Sequence, residues 1–485
     1  MKIEGKGYLI NANLNKNFPA EFEVEQIDTG KISGKCTLSG FGDEDFLTQS
    51  QLKDCRIIEG RMIKSNFNKS ADEYIPENFH DCYFEGNTRN GEKVSIKHIW
   101  VDGIHTLGAK VDLKFSAEEV ELSYDIISPE DQLFIEYGII NIDLGRLNSG
   151  YIKTGIGKIT LSKLEDHEEV IEKMKIFKTP LLSGVINIKA ENISKFDSFE
   201  SYFKEVDETV AKILELLSLA QSTYLSYCSI RICSKPTDSS DLDEFETKKL
   251  ILLDLKTKTP NLGEPLIQDW EDVREFISNT FAKYSDVLKK YDFNIALEWY
   301  LDSLISGVLQ SKYLMACTCF ELLKDRYNKI IAEEYILEKA FFSDKIYPNL
   351  KENMKEILKE NGIDKDTAEH KRIRAEIYAN LKGVNRISFT SSLLRLLDDL
   401  QIIHNDLFRD INMIAKIRNQ ITHRGIQKMD PKELLDFYEK TICLIQRIFL
   451  ALLGYDGYFL DRNDGYKRKK FTNFITEVKS PENTY

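Results

Sequence analysis

The sequence predicts an α+β multidomain protein, with a β-rich, sandwich-like domain at residues 1–164, a mixed region at 165–285 and an all-helical bundle at 286–485. Short runs of alternating apolar and polar residues, broken by Gly, Asn and Asp, fill the first third; this is the period of strands with one wet face. In the last 200 residues apolar positions recur every three or four residues, the period of helices. A chain of 485 residues also exceeds what one hydrophobic core organises.

The front strands can be taken in order. Gly7-Tyr8-Leu9-Ile10, Phe22-Glu23-Val24, Gly34-Lys35-Cys36-Thr37-Leu38 and Arg56-Ile57-Ile58 each carry the two-residue period. Cys82–Gly86 and Val94–Ile96 flank Asn90-Gly91, the strongest short hairpin signal. Val111–Phe115 and Val120–Tyr124 continue the pattern, so a sandwich of short strands is expected. His80, His98 and His105 are isolated on these strands and loops and are read as structural. In the mixed region, Phe199–Tyr227 has helical spacing and leads into a strand at Ser229–Ile232. Residues 236–246 form a polar, acidic loop. Its Ser239-Ser240-Asp241-Leu242-Asp243 lacks the Gly-Ser turn and helix that a nucleotidyltransferase carboxylate pair requires.

From residue 286 helices are expected at Ala296–Ser306, Leu309–Ile331, Asn349–Glu360, Thr367–Leu381 and Ser388–Leu400. Another runs from Asp406 to Arg424 and stops at Gly425, a residue free to take the left-handed conformation. The last begins at Asp430-Pro431-Lys432-Glu433, with an N-cap, a proline in the first turn and a reciprocal Glu, and ends before Gly454.

Composition narrows the function. The 42% hydrophobic and 30% charged residues suit a globular chain. No apolar run is long enough for a membrane span, and the N-terminus has no signal-peptide pattern, so a cytoplasmic protein is expected. The eight cysteines show no CxxC pair and are read as reduced, mostly buried thiols, with no metal or cofactor. The net charge of −13 is uneven, because residues 286–485 hold 32 Lys+Arg against 30 Asp+Glu and the front therefore carries −15. An acidic front favours a protein trigger over direct nucleic-acid sensing. The neutral rear leaves room for phosphate contacts by Arg424 and by Lys467, Arg468, Lys469 and Lys470.

The group able to do chemistry is Arg418-Asn419-Gln420-Ile421-Thr422-His423. Asn419 and His423, four apart, share a helix face, while Ile414, Ile417 and Ile421 mark the opposite, buried stripe. A histidine can move protons near neutral pH, and an arginine fork can hold phosphate oxygens as charge develops. Those are the requirements for RNA cleavage by an internal 2′-hydroxyl. No carboxylate cluster for magnesium accompanies them, which disfavours a two-metal mechanism. The spacing by itself leaves catalysis and a solvated helix end equally open.

The Arg418-Asn419-x-x-x-His423 pattern resembles the signature of HEPN domains, helical modules that commonly act as ribonucleases. Tyr313–Leu323, with Glu321 after an apolar run, is similar to the second helix of that fold. The long spacing between the two segments resembles the ApeA-like branch of bacterial anti-phage defence, and Gly5–Ile10 with Pro19–Phe22 looks like the start of its β-rich N-terminal domain. The resemblance implies a homodimer or higher homo-oligomer with a composite site and metal-free cleavage of tRNA or other structured RNA. It further implies abortive infection set off by a phage protein. Arg418, Asn419 and His423 would be the catalytic group, with Glu321 as a fourth member. Two alternatives stand beside it: a non-catalytic HEPN scaffold or sensor that binds a protein or nucleotide, and a toxin silenced by a separate nucleotidyltransferase.

Overall fold

The computed structural model describes residues 1–11, 16–38, 55–58, 61–64, 82–107, 110–125, 127, 132–145, 151–191, 193–235, 245–254, 258–261, 263–331, 335–424 and 429–476. His80, the 239–243 loop and Gly425 lie outside them. The chain divides into two compact units, Met1–Ser278 and Asn279–Tyr485.

In the first unit, alternation of apolar and polar residues builds one antiparallel sheet of twelve strands. Strands β1 (Lys2–Asn11), β2 (Lys16–Gln26), β3 (Ile32–Leu38), β6 (Cys82–Thr88), β7 (Lys93–Leu107) and β8 (Lys110–Ser123) pair in the order β8-β3-β2-β1-β6-β7. A second pairing, β7 to β8, closes them into a barrel. The expected strands are present, but they close on themselves where two facing sheets were expected. Closure removes the free edges that an open sheet of this size would expose. The barrel is filled by Phe22, Phe84, Val94, Ile96, Phe115, Val120 and Leu122, all buried. Gly34 is required there, because a Cβ on it would sit 2.4 Å from Phe115 Cζ. The Asn-Gly hairpin forms, with Gly91 at φ 97° accepting the left-handed turn. A short hairpin, β4 (Cys55–Ile58) with β5 (Arg61–Lys64), stands apart from this sheet.

The long strand β8 belongs to two structures. Its first half, Val111–Ser116, pairs with β3, and its second half, Glu119–Ser123, pairs with β14 (Glu246–Leu253). From β14 the sheet continues through β13 (Ser226–Lys235), β9 (Gln132–Ile140), β12 (Leu182–Ala190), β11 (Gly157–Lys163) and β10 (Tyr151–Thr154). The 164/165 boundary expected from the sequence therefore falls within one sheet. The Gln26 side-chain amide ties the junction, its Nε2 donating to Cys228 O at 2.9 Å and Leu253 O at 3.0 Å. Two helices accompany this part, α1 (His167–Phe177) and α2 (Phe199–Gln221). Helix α2 starts at a Ser198/Ser201 capping box. It stops six residues before the expected end at Tyr227, because Ser222 turns left-handed (φ 53°) and β13 begins at Ser226.

Helix α3 (Trp270–Tyr291) spans the division between units. The second unit continues with α4 (Phe293–Ile305), α5 (Leu309–Ile330), α6 (Tyr347–Glu360), α7 (Ala368–Gly383), α8 (Phe389–Asp399), α9 (Asn412–Arg424) and α10 (Pro431–Leu453). Helix α10 is the core element, with every residue from Thr441 to Leu450 buried. Its Asp430 and Gly454 ends lie where the sequence placed them, although Asp430 accepts from Lys432 N (2.7 Å) with no reciprocal bond from Glu433 among the described contacts. Beyond it β15 (Tyr458–Asp461) and β16 (Lys467–Lys470) form a hairpin, with 3₁₀ turns at Arg462–Asp464 and Phe471–Phe474.

Helix α9 starts six residues later than its apolar pattern predicts. Asp406, the expected N-terminal residue, is drawn away to Arg447 of α10, whose guanidinium it grips through two bonds of 2.7 and 2.6 Å. Asp410 replaces it, its Oδ1 accepting from Asn412 N at 2.9 Å. Arg447 is 0% exposed; it also donates to Ile403 O (2.8 Å) and lies 4.1 Å from the Phe474 ring. Asp406 is 38% exposed but Arg447 is not, so removing Asp406 leaves a buried charge uncompensated. Asp406→Leu is therefore expected to destabilise the protein by about 3 kcal/mol, read from its urea-unfolding midpoint, and a loss below that of a surface substitution would contradict this role.

Candidate functional site

Two helices meet to make the site. Tyr313 of α5 donates its hydroxyl to Ile414 O of α9 at 3.2 Å, and the buried faces of both helices, Ala316 and Phe320 on one and Ile414, Ile417 and Ile421 on the other, complete the local core. This packing turns Glu321 of α5 towards the first part of the Arg-Asn-x-x-x-His segment. Glu321 Oε1 forms an ion pair with Arg418 Nη1. Arg418 Nε and Nη2 both donate to Asn419 Oδ1, at 3.1 and 2.8 Å. The guanidinium is thus oriented from two sides, and its side chain stays 28% exposed.

The structure therefore brings Arg418, Asn419 and Glu321 together. His423 lies one turn beyond Asn419, exposed and with no hydrogen bond or ion pair among the described residues. Thr422 Oγ1 bonds back to Arg418 O at 2.9 Å. Nothing is described of the Arg424 side chain. The basic run forms strand β16: Lys467 pairs with Asp464 (2.9 Å), Lys469 with Asp461 (2.7 Å) and Asp464 (3.0 Å), and Arg468 stacks on Tyr458 at 3.7 Å. Acids of the same hairpin thus offset part of the positive charge expected to meet RNA.

One neighbour of Arg418 was not foreseen. The Phe389 ring, first residue of α8, lies 5.7 Å from the Arg418 guanidinium carbon and 5.8 Å from Lys324 Nζ of α5. The i,i+3 spacing of Glu321 and Lys324 signals a shared face, but nothing in the sequence connects Phe389 with either. Beneath the site Cys317 is buried, and that burial pushes its thiol up to about 12, against the opposing pull of the Arg418 charge. It is a packing thiol, inert as a nucleophile at neutral pH. Among the described residues no three His, Cys, Asp or Glu side chains converge as a metal site.

Chemically, the arrangement presents a held but accessible guanidinium, a carboxylate against it and a solvent-facing imidazole. Residues 314–457 match the model of the Apea-like HEPN family, a segment that contains Glu321, Arg418, Asn419 and His423. Comparisons with curated proteins and with solved structures found no match.

Because the Glu321–Arg418 pair is partly exposed (39% and 28%), solvent screens it. Glu321→Gln is expected to change unfolding free energy by about 1 kcal/mol or less, measured by denaturant titration. A loss of several kcal/mol would make the pair a structural bond and not a site feature.

Proposed function

We propose that this chain, whose residues 314–457 make up an Apea-like HEPN domain, is a metal-independent endoribonuclease. The observation that carries this reading is the setting of Arg418: a guanidinium oriented by Glu321 and Asn419, partly open to solvent, on the helix that also exposes His423. The 2′-oxygen attacks the adjacent phosphorus, and the bond from phosphorus to the 5′-oxygen breaks. The products are a 2′,3′-cyclic phosphate and a 5′-hydroxyl. His423 moves the proton taken from the 2′-hydroxyl or given to the departing oxygen, while Arg418 meets the negative charge on the phosphate oxygens.

One exposed helix end surrounds a phosphate on one side only. Two copies with their α9 ends facing each other would enclose it, so the working form is a homodimer or higher homo-oligomer. The proposed substrate is tRNA or another structured RNA. The proposed setting is anti-phage defence by abortive infection, released by a phage protein. The second reading is a non-catalytic HEPN scaffold or sensor. It is favoured by the fact that three of the five N–H donors of Arg418 are already engaged within the chain, which leaves two for a phosphate.

Purified protein incubated with total cellular RNA and EDTA is expected to cut it, with His423→Ala and Arg418→Ala each slowing cleavage by about 10²–10⁴-fold. Cleavage that survives both substitutions, or that needs magnesium, refutes the site. No cleavage by any form, even with phage lysate present, leaves the scaffold as the reading.

A further inference from the structure

The β10–β14 part of the sheet has two unlike faces. One is apolar and buried, carrying Ile135, Tyr137, Ile159, Ile186 and Ile230. Helix α2 lies on that side, accepting the Tyr227 hydroxyl at Asp207 (2.7 Å) beside the Tyr137 ring. The other face is polar, and strand register sorts it into rows, because directly paired residues point the same way.

One row runs Lys153, Lys158, Lys189, Phe134, Cys233 across β10, β11, β12, β9 and β13. The neighbouring row runs Tyr151, Thr160, Asn187, Glu136, Arg231 across the same strands. Three exposed lysines thus stand directly opposite one another, spanning about 10 Å at the usual strand spacing. Like charges in that arrangement destabilise a sheet.

Some lysines of this acidic unit are paired: Lys97 with Glu119 (2.6 Å), Lys248 with Asp125 (2.8 Å) and Lys249 with Glu121 (2.9 Å). Lys153, Lys158 and Lys189 have no acidic partner among the described residues, and the one acid in the two rows, Glu136, faces Arg231 at 3.7 Å. Aromatic rings lie among the cations. Lys158 Nζ is 5.2 Å from the Tyr151 ring, which is 53% exposed, and Lys189 Nζ is 5.9 Å from Phe134. Phe245, 40% exposed, packs edge-on against Phe134 at 4.3 Å.

We propose that this face binds single-stranded nucleic acid, with phosphates along the lysine row and unpaired bases on Tyr151 and Phe134. Cations interleaved with half-exposed rings satisfy both halves of a strand, its charge and its π-faces. A duplex would engage the lysines but keep its bases from the rings. An acidic peptide would offset the charge and leave the rings unused. The proposal is independent of the ribonuclease reading, since it concerns the unit Met1–Ser278 and involves no cleavage.

The test uses the full chain and a fluorescent, mixed-sequence single-stranded DNA. That probe lacks the 2′-hydroxyl and survives whether or not the protein cuts RNA. Anisotropy titrations over a salt series are expected to give a log–log slope near −2, as roughly three neutralised phosphates imply. Lys153→Gln/Lys158→Gln/Lys189→Gln should weaken binding at least about tenfold and flatten that slope. Tyr151→Ala should weaken it by about tenfold with the slope unchanged. Without DNA the triple variant should melt no lower than the parent, because the opposed charges are gone; Lys158→Gln alone replaces it if it fails to fold. No binding by the parent chain, or equal affinity for the parent and the lysine variant, overturns the proposal. So does a neutral Tyr151→Ala together with equal competition by poly-glutamate, which would assign the row to an acidic polypeptide.

Discussion

Arg447 holds a full positive charge in the middle of α10 with no exposed surface, and the turn before α9 is held by the bonds its two Nη groups donate. A buried guanidinium needs several acceptors at once. It takes the Asp406 carboxylate and the Ile403 carbonyl from the turn before α9, and Asp461 of β15 lies at 4.0 Å. The same contacts anchor the segment from which α9 sets out. The Tyr313–Ile414 bond and the isoleucine stripe then fix that helix against α5. Arg418 meets Glu321 because of this chain of supports, so the site's geometry traces back to one charge in the core.

That geometry joins restraint to exposure. Asn419 and Glu321 set the direction of the guanidinium before any substrate arrives, which spares the ordering entropy a free arginine would lose on binding phosphate. They also occupy three of its five N–H donors. A phosphate therefore meets a guanidinium with two donors left, whereas His423 stands open to whatever approaches the end of α9.

The first unit makes a parallel point about charge. Its total is strongly acidic, and a total averages over every face. Antiparallel register does the opposite, gathering residues distant in sequence into one row: Lys153 and Lys158 come from neighbouring strands of a tight hairpin, and Lys189 from the strand after an intervening helix. Net charge therefore does not report how the charges of this unit are placed on each of its faces.

Features written into a few adjacent residues were legible from the sequence. The ends of α10 follow from Asp430-Pro431 and Gly454, the β6–β7 hairpin from Asn90-Gly91, and the buried stripe of α9 from its isoleucine spacing. Each is decided by local backbone preference or by which side of one element is apolar. Features that depend on a distant partner were not legible. The start of α9 moved because Asp406 serves Arg447, 41 residues away. Closure of the barrel rests on a second pairing of β7 with β8, which alternating apolar residues allow but do not specify. The sequence by itself determined the residue types available for chemistry on α9. Only tertiary structure decided that Glu321 and Phe389 would stand beside Arg418, because packing chooses among many surfaces that the same periodicity could bury.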